Sequence, residues 1–300
     1  MAKSNWTTEN IPDQSGRVVI VTGANSGIGF EAAKALAEKN AEIIFAVRNQ
    51  SKGDAAVAQL QAEYPKAKLS VRILDIANLA SVKDFAEQFH QDYNQLDLLI
   101  NNAGIMVPPY GKTVDGFESQ MGTNHMGHFA LTAQLYDLLK STPNSRIVNV
   151  SSNAHSMGKL KLDDLAWENR KYLPWKAYGD SKLANLYFTY ELSRKIEAAG
   201  QSVMVTAAHP GLTSSNLAKG AAIRFFNSIF AQDGPMGALP TLMAAIEPSA
   251  KTGNYFGPSG MSEWRGYPKQ VFSNKLSHDV DIAAKLWTIS EEQTGVKFQV

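Results

Sequence analysis

Three hundred residues, 44% of them hydrophobic, suffice for one large α/β domain or two small ones with a sizeable core. Lys and Arg number 29 against 28 Asp and Glu, so no basic excess points to nucleic acid, and a small molecule is the default ligand. The absence of cysteine rules out disulfides, thiolate metal sites and cysteine nucleophiles together.

No stretch approaches the roughly 20 apolar residues of a membrane-spanning helix, and the first ten residues lack a signal-peptide core. The expectation is a cytoplasmic protein.

In chain order, the β-branched run Val18, Val19, Ile20, Val21 predicts a strand covered on both faces of a parallel sheet. Gly23, Gly27 and Gly29 then mark a turn that lets a pyrophosphate approach backbone amides and lets the next helix pack closely on the strand. A helix N-terminus would complete the anion site. The spacing G-x-x-x-G-x-G is wider by one residue than the common dinucleotide fingerprint, so its context carries the weight. A helix through Phe30, Ala33 and Leu36, closed by Asn40, and a strand over 42–47 supply that context as one βαβ unit. A ligand-free glycine turn is the bland alternative.

The second strand ends Phe45-Ala-Val-Arg48-Asn49, with no acid until Asp54. A carboxylate here would accept from a ribose 2′-hydroxyl, whereas Arg48, with Asn49 donating alongside, suits a 2′-phosphate. NADP(H) is therefore the expected cofactor. The alternative is a surface arginine paired with Glu31 or left in water.

Alternation continues with a helix over 52–64, a strand over 69–74, a helix over 79–93 and a strand over 96–100. A long helix over 114–139, a strand over 146–150, a helix over 175–198 and a strand over 203–207 follow. Past His209 the rhythm breaks. Residues 221–231 are apolar, with Phe225, Phe226, Ile229 and Phe230, and read as a substrate lid in preference to core or membrane surface. A helix over 236–246, a short strand at Tyr255 and Phe256 and a helix over 283–290 complete the chain. The fold class is α/β: a single doubly wound Rossmann-type domain over 1–300, with about seven parallel strands, helices on both faces and a substrate-loop region at about 210–235.

Tyr178 and Lys182 stand four residues apart on a predicted helix and so share a face. An ammonium beside a phenol, helped by an oxidised nicotinamide, would lower the phenol from its usual value near 10 and let it exchange a proton with a substrate oxygen. Y-x-x-x-K alone is weak, but the preceding strand ends in Ser151 and Ser152, where doubly wound sheets bind ligands. A serine there can donate to a carbonyl oxygen that gains charge, and strand alternation favours Ser152. Asn101, Asn102, Ala103 and Gly104 end the fourth strand, where their amides would face the adenosine half of a dinucleotide. Asn124 interrupts an apolar helix and reads as part of a water-mediated proton path, the alternative being a helix kink. His125 and His128 lack further metal ligands and read as helix packing, so no metal is assigned.

These segments, Thr22 to Gly29, Asn101 to Gly104, Asn124, Ser152, Tyr178 with Lys182 and Pro210-Gly211, resemble the short-chain dehydrogenase/reductase pattern in order. Residues 121–129 (MGTNHMGHF) and 253–258 (GNYFGP) resemble its retinol dehydrogenase and WW-domain oxidoreductase branch. The resemblance covers nearly the whole chain. It implies Tyr178 as acid/base, Lys182 on the nicotinamide ribose, Ser152 on the carbonyl and Asn124 in the relay. It implies a cofactor held by Gly23, Asn25, Ser26, Gly27, Ile28 and Gly29, by Arg48 and Asn49, by Asp75 and Ile76 at the adenine, by Asn102, Ala103 and Gly104, and by Pro210, Gly211 and Thr213 at the nicotinamide. The stretch Asn153 to Ala177 is a longer insertion than in many relatives.

The function so implied is NADP(H)-dependent interconversion of a carbonyl and an alcohol on an apolar substrate such as a retinoid, steroid or xenobiotic. One alternative is a non-catalytic NADP(H) sensor or scaffold. Another is a carbon–carbon double-bond reductase resembling the light-dependent protochlorophyllide enzyme. Homo-oligomerisation is left open.

Overall fold

The computed structural model describes residues 5–212 and 232–300. Eight strands form one sheet in the order β3-β2-β1-β4-β5-β6-β7-β8. They are β1 (Val18–Thr22), β2 (Glu42–Val47), β3 (Leu69–Ile73), β4 (Leu98–Asn101), β5 (Arg146–Val150), β6 (Met204–Ala208), β7 (Tyr255–Pro258) and β8 (Pro268–Val271). Seven run parallel, as expected, and β8 adds an antiparallel edge that the sequence reading lacked. Only the end residues of β8, Pro268 and Val271, are buried, so no apolar run marks it.

The central strands are apolar on both faces because helices cover both. Val19 and Val21 pack with Leu36 of α1 (Gly27–Glu38), while Ile20 packs on the opposite side with Phe85 of α3 (Leu79–Asp92). Each such side chain, fully buried, contributes about 1.5–3 kcal/mol. Between β2 and β3 runs α2 (Gln50–Glu63), which Asn49 caps by accepting from Lys52 N.

The expected helix over 114–139 starts later and is broken. Glu118 accepts from the amides of Gln120 and Met121, so α4 begins at Ser119 (Ser119–Met121), and Val114 lies exposed in the preceding turn. A π-helical turn, Gly122–Met126, then carries Asn124 into α5 (Gly127–Gln134), and α6 (Tyr136–Ser141) follows after a break at Leu135. The long helix α7 (Pro174–Ala198) opens on a proline suited to its first turn. α8 (Gly234–Ile246) covers the face of α1, and α9 (Val280–Thr294) lies on α7 and reaches α5, where Trp287 meets Phe129 edge-on at 5.2 Å. Among the described residues no helix is long and apolar enough to cross a membrane. The segment 221–231 read as a lid, and Thr213, lie outside the described residues.

Candidate active site

The chain leaves β1 toward β2 and β3 on one side, then returns to place β4 on the other, so a crevice opens at the carboxyl ends of β1 and β4. A cleft of about 480 Å³ lies there. Most of the predicted cofactor residues border it: Gly23, Asn25, Ser26, Gly27, Ile28 and Gly29 from the first turn, Arg48 after β2, Asp75 and Ile76 after β3, Asn102, Ala103 and Gly104 after β4, with Tyr178, Lys182 and Pro210 at the far end.

The first turn is built for close approach. A Cβ on Gly29 would lie 2.4 Å from Asn102 Nδ2 and 2.7 Å from the Gly23 carbonyl, so only glycine lets α1 start this near β4. Ser26 precedes α1 but makes no capping bond, and the first turn of α1 holds no acidic residue. Its leading amides therefore face the cleft without a side-chain acceptor, a donor set that fits an anionic diphosphate. Arg48 is exposed at the rim and forms no ion pair among the described residues. Glu31, its alternative partner, has Lys34, Asp233 and Glu63 as its charged neighbours instead.

Two predicted cofactor positions, Asn49 and Gly211, do not border the cleft, and the side chains of Asn101 and Asn102 turn to protein partners. Asn49 does not border the cleft, because its Oδ1 is engaged by Lys52 N and Ser51 Oγ at the start of α2. Gly211 lies behind Pro210 against the Trp264 carbonyl. The side chain of Asn101 turns into the core, donating to Thr132 Oγ1 and Asn149 Oδ1, and that of Asn102 donates to the Thr22 carbonyl at 2.8 Å. Asn101 thus ties β4 to β5 and to α5 through side chains, and Asn102 ties the end of β4 to that of β1.

Asn124 likewise acts as a staple. Its Oδ1 accepts from Ile105 N at 2.9 Å, and its Nδ2 donates to the Ile105 carbonyl and to Ser181 Oγ, tying the loop after β4 to α7. The side chain read as part of a proton path bonds protein groups through both its oxygen and its nitrogen, and it sits in the π turn.

One turn of α7 carries Tyr178 and Lys182, both buried, with Lys182 Nζ 5.8 Å from the Tyr178 ring centre. Nζ donates to the Val150 carbonyl at 3.0 Å. Burial pushes the Tyr178 phenol up to about 12, against the pull of a hydrogen bond from Ser152. Burial also pushes the Lys182 ammonium down to about 8. Among the protein's own groups the phenol is thus held protonated, because a phenolate here would sit in a low-dielectric interior and burial is the dominant influence on it.

The two serines have different partners, and of the pair it is Ser151 that borders the cleft. Ser151 is buried and its hydroxyl donates to the Lys182 carbonyl at 2.8 Å, whereas Ser152, whose Oγ accepts from Ala154 N at 3.1 Å, keeps its own proton for Tyr178. The turn that follows Ser152 rests directly on the α7 backbone. A Cβ on Gly179 would lie 2.8 Å from the Ala154 carbonyl and 2.9 Å from Gly158 N.

Further residues reach the site. Lys112, Thr113, Ser119 and Thr123 border the cleft from the loop and helix start after β4. His128, read as packing, also reaches the cofactor turn. Its Nδ1 faces the Asn124 carbonyl at 3.1 Å and so carries the proton, which leaves Nε2 to accept from Thr22 Oγ1 at 3.0 Å. Thr22 Oγ1 in turn accepts from the amides of Asn102 and Ala103. Burial holds the rings of His125 and His128 down at about 4 and about 3. Nitrogen NMR should show both imidazoles neutral as the pH falls from about 7 to about 5, and a titration near 6.5 for either would contradict this network.

A family model described as short chain dehydrogenase matches residues 17–223. Retinol dehydrogenase 12 of Mus musculus is 37% identical over 291 residues, covering 95% of this chain and 88% of that protein. A crystal structure of an uncharacterized protein from Mycobacterium paratuberculosis superposes with a TM-score of 0.84 at 42% identity, covering 99% of this chain and 100% of that one. A short chain dehydrogenase from Shigella flexneri, solved complexed with NADP, gives 0.61 at 25% identity over 81% of this chain and 97% of that one. With this fold, this cleft and these likenesses, the chain belongs to the short chain dehydrogenase family, on the side of the retinol dehydrogenases.

Proposed function

We propose that the protein is an NADP(H)-dependent oxidoreductase that interconverts a carbonyl and an alcohol on an apolar substrate, with Tyr178 as its acid and base. The family makes it an oxidoreductase of alcohol and carbonyl compounds that uses a nicotinamide coenzyme. The observation that carries the finer reading is the convergence of Tyr178 and Lys182 at one end of the cleft that Arg48 borders, with Ser152 hydrogen-bonded to Tyr178.

Bound coenzyme supplies the hydride, and the protein supplies the rest. In the reducing direction the Tyr178 hydroxyl, protonated at neutral pH, gives its proton to the substrate oxygen while the Ser152 hydroxyl donates a hydrogen bond to the same atom. Lys182 remains largely an ammonium near pH 7, with one N–H on the Val150 carbonyl and others for a coenzyme hydroxyl and for steadying the phenolate left behind. Asn124 positions these groups by joining α7 to the loop after β4.

Two features support the coenzyme and substrate assignments. Arg48 borders the cleft directly after β2, where a guanidinium suits a 2′-phosphate, and the Shigella flexneri relative was solved with NADP. Beside Tyr178, Trp175 stands perpendicular with ring centres 6.4 Å apart, and Met157, Leu173 and Trp175 are exposed at 39%, 46% and 47%. Exposed apolar side chains next to an acid suit an apolar carbonyl, in keeping with relatives named for retinol. A panel of aldehydes, ketones and alcohols followed by NADPH absorbance tests the proposal. Consumption faster with apolar than with small polar carbonyls is expected, and no consumption with any member would overturn it.

Gly179→Ala tests the placement of Ser152. The added methyl pushes the serine-bearing turn off α7, so turnover should fall by about ten- to a hundredfold while coenzyme affinity holds. Unchanged turnover would show that the contact does not set the reacting geometry.

A further inference from the structure

We infer that Glu263 is a positioning residue which, through His209, fixes the Pro210–Gly211 turn against the reacting end of the coenzyme, and that the strained turn around it braces that end of the cleft. The inference rests on the reading of the cleft as a nicotinamide coenzyme site.

Ser262 and Glu263 are consecutive non-glycine residues at φ +54° and +55°. Left-handed backbone is unfavourable for such residues and persists only where the surroundings over-determine it. What holds them is a set of contacts on both sides of the site. Glu263 Oε2 accepts from His209 Nε2 at 2.9 Å. His209 is fully buried, and its Nδ1 accepts from Gly211 N at 3.3 Å, which leaves the ring proton on Nε2, facing the carboxylate. A Cβ on Gly257 would lie 2.0 Å from that Nε2, so the imidazole has no room to swing away.

Neighbouring residues extend the brace. The Trp264 carbonyl accepts from Leu212 N at 2.7 Å. Gln232 donates to the Pro210 carbonyl and accepts from Gly266 N, joining the same two segments again. On the other side, Asn153 Nδ2 donates to the carbonyls of Ser262 and Glu263, and Asn153 directly follows Ser152. The turn therefore bridges the segment after β6, whose Pro210 borders the cleft, and the segment after β5, which carries Ser152. A strained turn with anchors on both segments sets their separation, and hence the position of the nicotinamide relative to Ser152 and Tyr178.

The sign of the effect separates positioning from charge. By charge alone, removing a carboxylate should tighten the binding of an anionic dinucleotide. As a brace, Glu263 lost to alanine frees His209 and the turn it holds, and binding weakens.

The test measures NADPH dissociation constants by fluorescence titration and unfolding midpoints without coenzyme, for the full chain and for Glu263→Ala, Glu263→Gln and Asn153→Ala. Glu263→Ala should bind NADPH about tenfold more weakly, and Glu263→Gln, whose amide oxygen accepts the same N–H, should return to within about threefold of the original. Asn153→Ala, which releases the turn from the serine side and tests the brace without touching Glu263, should lower turnover by about tenfold with NADPH affinity retained. Equal or tighter NADPH binding by a folded Glu263→Ala would overturn the inference, as would a lowered midpoint with no change in affinity, or failure of Glu263→Gln to restore binding. Unchanged turnover in Asn153→Ala would remove the bridge to Ser152. If the original chain binds neither NADPH nor NADH, the coenzyme reading itself fails and takes this inference with it.

Discussion

Tyr178→Phe should lower turnover by at least about a hundredfold, the usual range of general acid–base catalysis, while coenzyme affinity stays as it was. The substitution keeps the ring that Trp175 meets edge-on and deletes only the hydroxyl beside Ser152. Lys182 keeps its bond to the Val150 carbonyl, so the coenzyme side of the cleft is unaltered. The direction of the phenol's shift adds a second expectation. With burial pushing Tyr178 up to about 12, carbonyl reduction has its proton in place at neutral pH, whereas alcohol oxidation needs the phenolate and should accelerate as the pH rises. Steady-state rates in both directions across pH, with coenzyme titrations of the variant, check both points. A variant retaining more than about a tenth of the original turnover would remove Tyr178 from the chemistry.

Arg48 should decide the coenzyme. It lies exposed at the cleft rim with no ion pair among the described residues, and no carboxylate follows β2 to accept from a ribose 2′-hydroxyl. A guanidinium on a phosphate makes charge-assisted bonds that, at a partly screened rim, correspond to about ten- to a hundredfold in affinity. Arg48→Ala should therefore weaken NADPH by that factor and leave NADH nearly unchanged. Arg48→Asp should go further by repelling the phosphate and offering the ribose an acceptor, shifting the preference toward NADH. Because Asn49 is engaged in capping α2, Asn49→Ala should act through helix stability rather than coenzyme choice. Dissociation constants for both coenzymes in the three variants decide the matter. A native preference for NADH, or unaltered NADPH affinity in Arg48→Ala, would contradict the assignment and leave Tyr178 untouched.

Much of the fold could be read from local pattern because the sheet is covered on both faces. Runs such as Val18 to Val21 have no other comfortable place, and the parallel order follows from alternation with helices. Where local pattern misled, a polar contact had overridden it. Val114 and Phe117 mimic a helical stripe, yet Glu118 caps the helix after them, and the two buried ends of β8 are too few to announce a strand. At the site, residue types and spacing placed Tyr178, Lys182 and the glycine turn at the cleft, whereas of the two serines it is Ser151 that borders it and Ser152 that meets Tyr178. What stayed hidden depends on distance along the chain or on burial. Thr22 meets His128 across 106 positions, Asn124 serves as a staple only once Ile105 and Ser181 flank it, and the upward push on Tyr178 comes from its depth. The brace formed by Glu263 joins residues more than fifty positions apart, and its left-handed turn contains no glycine at either strained position to mark it.

The central claim is that this cleft moves hydride and proton to a carbonyl. Its most direct test offers the full chain NADPH deuterated at the transferable nicotinamide position together with apolar aldehydes and ketones, and follows the products by mass spectrometry. One deuterium on the carbinol carbon of a product alcohol, abolished in Tyr178→Phe, is the predicted result. A folded protein that binds NADPH yet yields no deuterated alcohol from any carbonyl would contradict it and leave a binding role in its place.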